Sequence, residues 1–281
     1  MKTRVLTSVV IVALMLLLAV FSGTIAYPLG LGALALIATF EILRVIDVHK
    51  KLVLSLPAYL IALAFPICAY FVKQENLINF LLILAATMFV YMLWLMGVSV
   101  FSKGRIPFSR VSEVFCAVTY VSVSFSSLTI LRYYDKDYGL LMVVLPFLIP
   151  WICDVFAYFC GSLFGKHKLI PEVSPKKTVE GAIGGVVFSA LSCLVYGLGV
   201  DLIVADVKVN YLLLFIFGAI ISVLSQLGDL IASLIKREHG VKDYGKIFPG
   251  HGGIMDRFDS VLAVSTVLLI LCIVLPPFTA V

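Results

Sequence analysis

Long apolar runs separated by short polar segments make up most of the chain. We find nine runs of about 17 to 25 residues, the length that a helix needs to cross roughly 30 Å of hydrocarbon. They cover approximately Val5 to Phe21, Leu29 to Val45, Leu52 to Val72, Leu77 to Phe101, Val111 to Leu131, Gly139 to Phe164, Gly181 to Val200, Tyr211 to Ile235 and Phe258 to Phe278. The pattern predicts an all-α, polytopic integral membrane protein of about nine transmembrane helices, with residues 1–281 forming one membrane domain.

Composition agrees with this prediction. Of the 281 residues, 62% are hydrophobic and 13% are charged, whereas soluble proteins have roughly 25% charged residues. A water-soluble enzyme and a disordered chain are both excluded by this balance. The six cysteines all lie inside the predicted spans and show no metal-ligand spacing, so we interpret them as packing residues.

The basic residues are distributed unevenly between the two sides of the predicted membrane protein. With the N-terminus in the cytoplasm, the other side receives only Lys73, Arg132, Lys136 and Lys208, and every other Lys and Arg faces the cytoplasm. Cytoplasmic loops of membrane proteins carry such an excess. The net charge of +5 is therefore explained by topology, and no nucleic-acid partner is expected.

Acidic residues inside membrane spans are costly and need a partner, a wet cavity or a function. Six acids lie in or at the entrance of predicted spans: Glu41, Glu113, Asp154, Asp229, Asp256 and Asp259. The eighth span also carries polar residues at steps of four, three, four and three: Ser222, Gln226, Asp229, Ser233 and Lys236. This spacing predicts one polar helix face. Hydrogen bonding between helices is the alternative, but it explains the serines and leaves Asp229 unexplained.

Two long cytoplasmic loops hold most of the remaining polar residues. The loop from Lys236 to Arg257 combines cations, acids and glycines, which suits a polyphosphate held by Lys, Arg and a carboxylate-bound metal. Binding of lipid head groups is the alternative. In the loop from Gly165 to Glu180, Ser174 and Pro175 predict a helix start that aims two lysines at a phosphate. The glycines that follow also suit close helix packing.

These residues resemble the integral membrane phosphatidate cytidylyltransferases, also called CDP-diacylglycerol synthases. The C-terminal signature of that family is carried by Ser233, Lys236, Arg237, Lys242, Asp243, His251, Gly252, Gly253, Asp256, Arg257 and Asp259. Further matches are Gln226, Gly228 and Asp229, the segment from Ser174 to Gly181, and Asp154 with Ala157, Tyr158 and Gly161. The motifs cover roughly residues 150–265, which we assign to catalytic helices and loops. Residues 1–140 match only in being multispan, and we assign them no role.

The resemblance implies an activity. CTP and phosphatidate would give CDP-diacylglycerol and pyrophosphate, in phospholipid biosynthesis. It implies a divalent cation, Mg²⁺ or another such as Mn²⁺, and leaves a second cation open. It also implies a homodimer in the cytoplasmic membrane of the cell, with the active site facing the cytoplasm.

The same resemblance assigns the site residues. Asp229 and Asp256 are the implied metal ligands, and Asp259 or Asp154 completes or orients the site. The cations that would hold the triphosphate and the departing pyrophosphate are Lys236, Arg237, Lys242 and Arg257. Among the catalytic residues, Ser233 and His251 would hydrogen-bond phosphate oxygens, and a general-acid role is the alternative for His251. Lys176 and Lys177 would meet CTP or the phosphatidate head group, and the remaining predicted substrate contacts are Gly252, Gly253, Asp154 and Tyr158.

Three other functions are less well supported. A secondary transporter would also carry intramembrane acids, but paired inverted halves are not evident in the sequence. A CDP-alcohol phosphotransferase would carry an Asp-x-x-Asp-Gly signature, which the chain lacks. A P-loop is missing, because the segment from Gly161 to Lys166 is one residue too short and is followed by His167.

Overall fold

Helices long and apolar enough to cross a membrane dominate the fold. The computed structural model describes residues 13, 17–250 and 252–280, and eight such helices lie in this part of the chain. They are α1 (Ala26–Val45), α2 (Leu52–Cys68), α3 (Leu77–Phe101), α4 (Phe108–Tyr133), α5 (Gly139–Phe164), α6 (Val179–Ile203), α7 (Tyr211–Glu238) and α8 (Met255–Val274). The predicted all-α polytopic membrane fold is confirmed. Most of the first predicted span, Val5 to Phe21, lies outside the described residues.

Short elements join the helices. In the part of the chain that the structure describes, three turns of 3-10 helix cover Phe21–Gly23, Ala69–Phe71 and Gln74–Asn76. The strands are β1 (Lys168–Ile170), β2 (Ser174–Thr178), β3 (Val207–Val209) and β4 (Phe278–Ala280). They form two antiparallel pairs, β1 with β2 and β3 with β4.

The predicted end of the last span is wrong. Helix α8 ends at Val274 instead of Phe278, and Phe278 begins strand β4, where it pairs with Val209. Pro276 and Pro277 precede that strand. Because proline cannot donate a helical hydrogen bond and disfavours helix at the residue before it, the two prolines end the helix.

The predicted helix start at Ser174 and Pro175 is also wrong. Both residues lie in β2, and α6 begins four residues later than Pro175, at Val179. Thr178 is the N-cap of α6: its backbone is extended, and its Oγ1 accepts the N–H of Gly181 at 3.1 Å. A threonine that satisfies a first-turn amide marks a helix start better than a proline three residues earlier.

The chain divides into two compact units. Unit 1 is Met1–Asp135 with Glu238–Phe258, and unit 2 is Lys136–Arg237 with Asp259–Val281. In unit 1, α1, α2 and α4 pack together, and α3 packs against α2 and α4. Buried apolar side chains such as Leu43, Leu54, Leu95 and Val114 form a core there.

Unit 2 is built on the pairing of α5 with α6. A methyl group on Gly185 would lie 2.9 Å from Cys153 Sγ, and one on Gly184 would overlap the Cys160 side chain. The packing interpretation of these two glycines is therefore confirmed. Farther along, Gly228 of α7 faces Ala263 of α8 so closely that a methyl group there would overlap it.

Candidate active site

The polar face predicted for the eighth span is present on α7. Ser222 and Ser225 are fully buried, and Gln226 and Lys236 are each 9% exposed. Val223, Leu227 and Ile231, on the opposite side, are about half exposed. The Gln226 side chain donates to the carbonyl oxygen of Ala182 at 3.2 Å. This polar stripe is therefore turned into the protein, and the apolar face is turned outward.

Asp229, in the centre of the stripe, pairs with a lysine of the β1–β2 hairpin. Lys177 Nζ lies 2.5 Å from Asp229 Oδ2, and the two side chains are 25% and 30% exposed. The sequence placed both residues in the site, in separate roles. The structure brings them into direct contact.

Asp259 joins the same cluster in unit 2. It is 8% exposed, and its carboxylate interacts electrostatically with Asp229, Lys236 and Asp154. The backbone N–H of Ser260 donates to Asp259 Oδ1 at 2.8 Å. Four predicted site residues are thus electrostatic neighbours within one unit.

Carboxylates of this cluster are of a chemical type that can supply one or two ligands to a divalent metal. Asp229 and Asp154 interact electrostatically with Asp259, as does Lys236, and Lys177 pairs with Asp229. Carboxylate oxygens are the protein ligands that Mg²⁺ prefers. Within the described residues, no group of three or more His, Cys, Asp or Glu side chains is arranged to enclose an ion. Mg²⁺ is commonly held by one or two carboxylates together with substrate phosphates.

In unit 1, Asp256 organises the glycine-rich loop that precedes α8. Its Oδ2 accepts three backbone N–H groups, from Tyr244 at 2.8 Å, Gly245 at 3.3 Å and Gly253 at 3.0 Å. The loop also turns back on itself, because the N–H of Phe248 donates to the carbonyl oxygen of Gly252 at 2.9 Å. Asp256 therefore shapes the loop, whether or not it also binds a metal.

Glycine is required at two turns of this loop. Gly250 has φ 77° and Gly252 has φ 86°, in the left-handed region that other residues rarely adopt. Gly252 and Gly253 are buried. His251, between these positions, lies outside the described residues, so its predicted role stays a prediction.

The other predicted binding residues lie nearer the surface. The exposed residues are Asp154, Tyr158, Lys176, Arg237, Lys242 and Arg257, and Ser233 is half-buried. Tyr158 is 73% exposed. Asp154 and Tyr158 lie within α5, a candidate membrane span, and the individual roles of all these residues stay predictions.

Two intramembrane acids have partners that the sequence did not predict. Glu41 of α1 accepts the N–H of Met255 at 2.9 Å. Glu113 of α4 lies 3.2 Å from Arg110 Nη1 and 3.7 Å from His239 Nε2. The signal for both was an acid inside an apolar span. Arg110 lies three residues before Glu113 in the same helix, whereas Met255 and His239 are distant in the sequence from the acids that they contact.

Comparison with known proteins places the site in a family context. Residues 2–275 match the cytidylyltransferase family. A phosphatidate cytidylyltransferase of Staphylococcus saprophyticus is 38% identical over 276 residues, which cover 97% of this chain and 99% of that protein. One of Bacillus subtilis is 36% identical over 270 residues, which cover 94% of each protein. The similarity therefore also includes the first 140 residues, which matched no motif.

Proposed function

The chain belongs to the cytidylyltransferase family, and from this premise we propose that it is a phosphatidate cytidylyltransferase. It condenses CTP with phosphatidate to give CDP-diacylglycerol and pyrophosphate in phospholipid biosynthesis. The observation that carries the proposal is the near full-length similarity to bacterial enzymes of that name. The arrangement of carboxylates and cations in the site agrees with the chemistry that this reaction requires.

The reaction needs positioning and charge neutralisation more than a strong base. A phosphate oxygen of phosphatidate is already ionised at neutral pH. It attacks the α-phosphorus of CTP, a new P–O bond forms, and the bond from that phosphorus to the bridging oxygen of the β-phosphate breaks. The electron pair of the broken bond stays on that oxygen, and the leaving group is pyrophosphate. The main barrier is the approach of two polyanions, which fixed cations and in-line positioning reduce.

In unit 2, we assign metal binding to Asp229 and Asp259. When bound, a divalent cation such as Mg²⁺ would neutralise phosphate charge and polarise phosphoryl oxygens. Lys177, which touches Asp229, holds that carboxylate in place and adds a positive charge beside it. Lys236 and Arg237 bind phosphate oxygens, Ser233 donates a hydrogen bond to one, and Asp154 orients the cluster.

In unit 1, we assign phosphate binding to the loop before α8. Lys242 and Arg257 are exposed cations that bind the triphosphate and the departing pyrophosphate. Gly252 and Gly253 stay predicted contacts to the phosphates, and the space beside them is occupied by the carboxylates of Asp256 and Glu41. Asp256 stays a predicted metal ligand, and its three backbone hydrogen bonds determine where its carboxylate lies in the loop.

The remaining assignments concern the surroundings of the enzyme. We propose that the N-terminus and the loops from Gly165 to Glu180 and from Lys236 to Arg257 face the cytoplasm. Nearly all Lys and Arg residues then lie on that side. Lys176 and Tyr158, both exposed, contact CTP or the phosphatidate head group. The family resemblance supports a homodimer.

Pyrophosphate release by the detergent-purified protein tests the proposal. CTP, phosphatidate and Mg²⁺ are each omitted in turn, and CDP-diacylglycerol is identified by mass. Release that requires all three, with the expected lipid product, supports the proposal. Release from CTP without lipid indicates another acceptor or a hydrolase. If the folded protein releases no pyrophosphate with any common metal or nucleotide, the proposed activity is refuted. Proton-dependent transport in proteoliposomes would then be tested.

A further inference from the structure

Glu41 is a buried acid in a membrane-spanning helix with no role in the reaction described above. It is 1% exposed, and a buried carboxylate in a membrane span is costly, so it needs a partner or a function. Its Oε2 accepts the N–H of Met255 at 2.9 Å, and the backbone of Ile254 contributes to the electrostatic environment of the same carboxylate. Glu41 thus caps the N-terminus of α8 from another helix, satisfying a first-turn amide that has no partner within α8.

The Glu41 carboxylate also fills space that two loop glycines leave open. A methyl group on Gly245 or on Gly253 would overlap this carboxylate. The backbone of both glycines therefore passes directly against Glu41. No larger residue fits at either position unless Glu41 moves.

The same two glycines are held from the other side by Asp256, which accepts their N–H groups at 3.3 and 3.0 Å. The loop is thus clamped between one carboxylate of α1 and one of α8. Arg44, one turn after Glu41, adds a third connection, because its Nη2 donates to the carbonyl oxygen of Tyr244 at 2.7 Å. Its guanidinium also interacts electrostatically with Glu41 and offsets part of the buried negative charge.

We infer that Glu41 is a positioning residue, which holds the loop around Gly245 and Gly253 in its binding conformation before any substrate arrives. Glu41 does not contact the reacting atoms. It acts by stabilising one loop conformation. Alternative conformations that do not bind CTP would lower the apparent affinity for CTP in proportion to their population. The inference gives a function to α1, within a region that matched no sequence motif, and it rests on the proposed binding of phosphates by this loop.

Two substitutions of Glu41 test the inference. Glu41→Leu removes both acceptor oxygens, and Glu41→Gln keeps one. In the substrate-free enzyme, we expect the amides of Tyr244, Gly245, Gly253 and Met255 to exchange with deuterium roughly tenfold faster in Glu41→Leu, and near the wild-type rate in Glu41→Gln. The KM for CTP should rise roughly tenfold in Glu41→Leu, with kcat largely recovered at saturating CTP.

A structural role alone would give a different result. Loss of folded enzyme would lower kcat and leave the KM for CTP unchanged. Thr39→Val is the matched control, because Thr39 is also buried in α1 but its hydroxyl makes no hydrogen bond within the described residues. It should leave both the exchange of the loop amides and the KM for CTP unchanged.

If Glu41→Leu fails to fold, Gly245→Ala applies the same test without changing α1, because its methyl group would overlap the Glu41 carboxylate. Unchanged loop exchange in either folded variant would overturn the inference, as would equal losses in Glu41→Leu and Glu41→Gln. Faster amide exchange with an unchanged KM for CTP would overturn the positioning role, because it would show that the conformation of this loop does not affect CTP binding. In every case the wild-type omission assay reports separately on the proposed function.

Discussion

Lys177 Nζ lies 2.5 Å from Asp229 Oδ2, so the β1–β2 hairpin and the polar face of α7 meet at one ion pair. Both side chains are less than a third exposed, and charges in such positions are weakly screened by solvent. The two residues therefore act as a unit, and their substitutions should not be additive.

The ion pair predicts coupled kinetic effects. Lys177→Met and Asp229→Asn should each lower kcat/KM strongly. The kcat/KM of the double variant should lie within a few-fold of that of the less active single variant. The expected coupling is about 0.5–3 kcal/mol, the range for residues in contact. Steady-state kinetics of the four proteins measure it. Simple addition of the two losses would show that the contact has no role in turnover.

Asp229→Asn should abolish most of the activity. The substitution keeps size and removes charge, so we expect turnover to fall by roughly 10²–10³, as for loss of one preorganised electrostatic group. Expression and thermal stability should stay near wild type. Asp201→Asn is the control: Asp201 lies in α6, and its carboxylate accepts the Tyr211 hydroxyl at 3.1 Å. If turnover in Asp229→Asn stayed within a few-fold of that control, the assignment of Asp229 would be wrong.

The proposed metal binding by Asp229 and Asp259 predicts that activity requires a divalent cation. Dialysis against EDTA should remove activity, and added Mg²⁺ should restore it. Asp259→Asn should raise the half-saturating Mg²⁺ concentration roughly 10-fold to 100-fold, as when a group that supports a metal site is lost. The measurement is pyrophosphate release against free Mg²⁺. Activity that survives EDTA, or an unchanged Mg²⁺ requirement in Asp259→Asn, would contradict these assignments.

Alanine substitutions at two glycines of α6 should have opposite effects on the stability of the protein. A methyl group at Gly184 would overlap Cys160, whereas one at Gly199 would meet no described atom within 4 Å. Gly184→Ala should therefore cost about 1–3 kcal/mol through overpacking and lower the melting temperature in detergent. Gly199→Ala should be neutral or stabilising, because alanine favours helix over glycine. Equal melting temperatures for the two variants would contradict the close α5–α6 packing.

The orientation can be tested with a membrane-impermeant maleimide. Lys246 in the glycine-rich loop and Lys208 in β3 are both exposed, and the proposed topology places them on opposite sides of the membrane. Lys246→Cys should be labelled only when the cytoplasmic side is accessible, and Lys208→Cys from the outer side of intact cells. Wild-type protein controls for the native cysteines. Labelling of both from one side would overturn the topology.

The sequence alone determined the class of the protein and most of its helices. Hydrophobicity along a run of about twenty residues is a local property, and it decides membrane insertion almost independently of the rest of the chain. The predicted spans Leu77 to Phe101 and Gly139 to Phe164 match α3 and α5 at both ends. The signature residues could also be identified from the sequence, because residue type and spacing are independent of the tertiary structure.

The tertiary structure decided which residues meet. The Lys177–Asp229 pair, the hydrogen bond from Met255 to Glu41, and the strand pairing of Phe278 with Val209 all join positions that are distant in the sequence. Such contacts depend on how helices pack, which no local pattern resolves. For the same reason Glu41 was visible in the sequence as a costly buried acid, and only the fold supplied the loop that it holds.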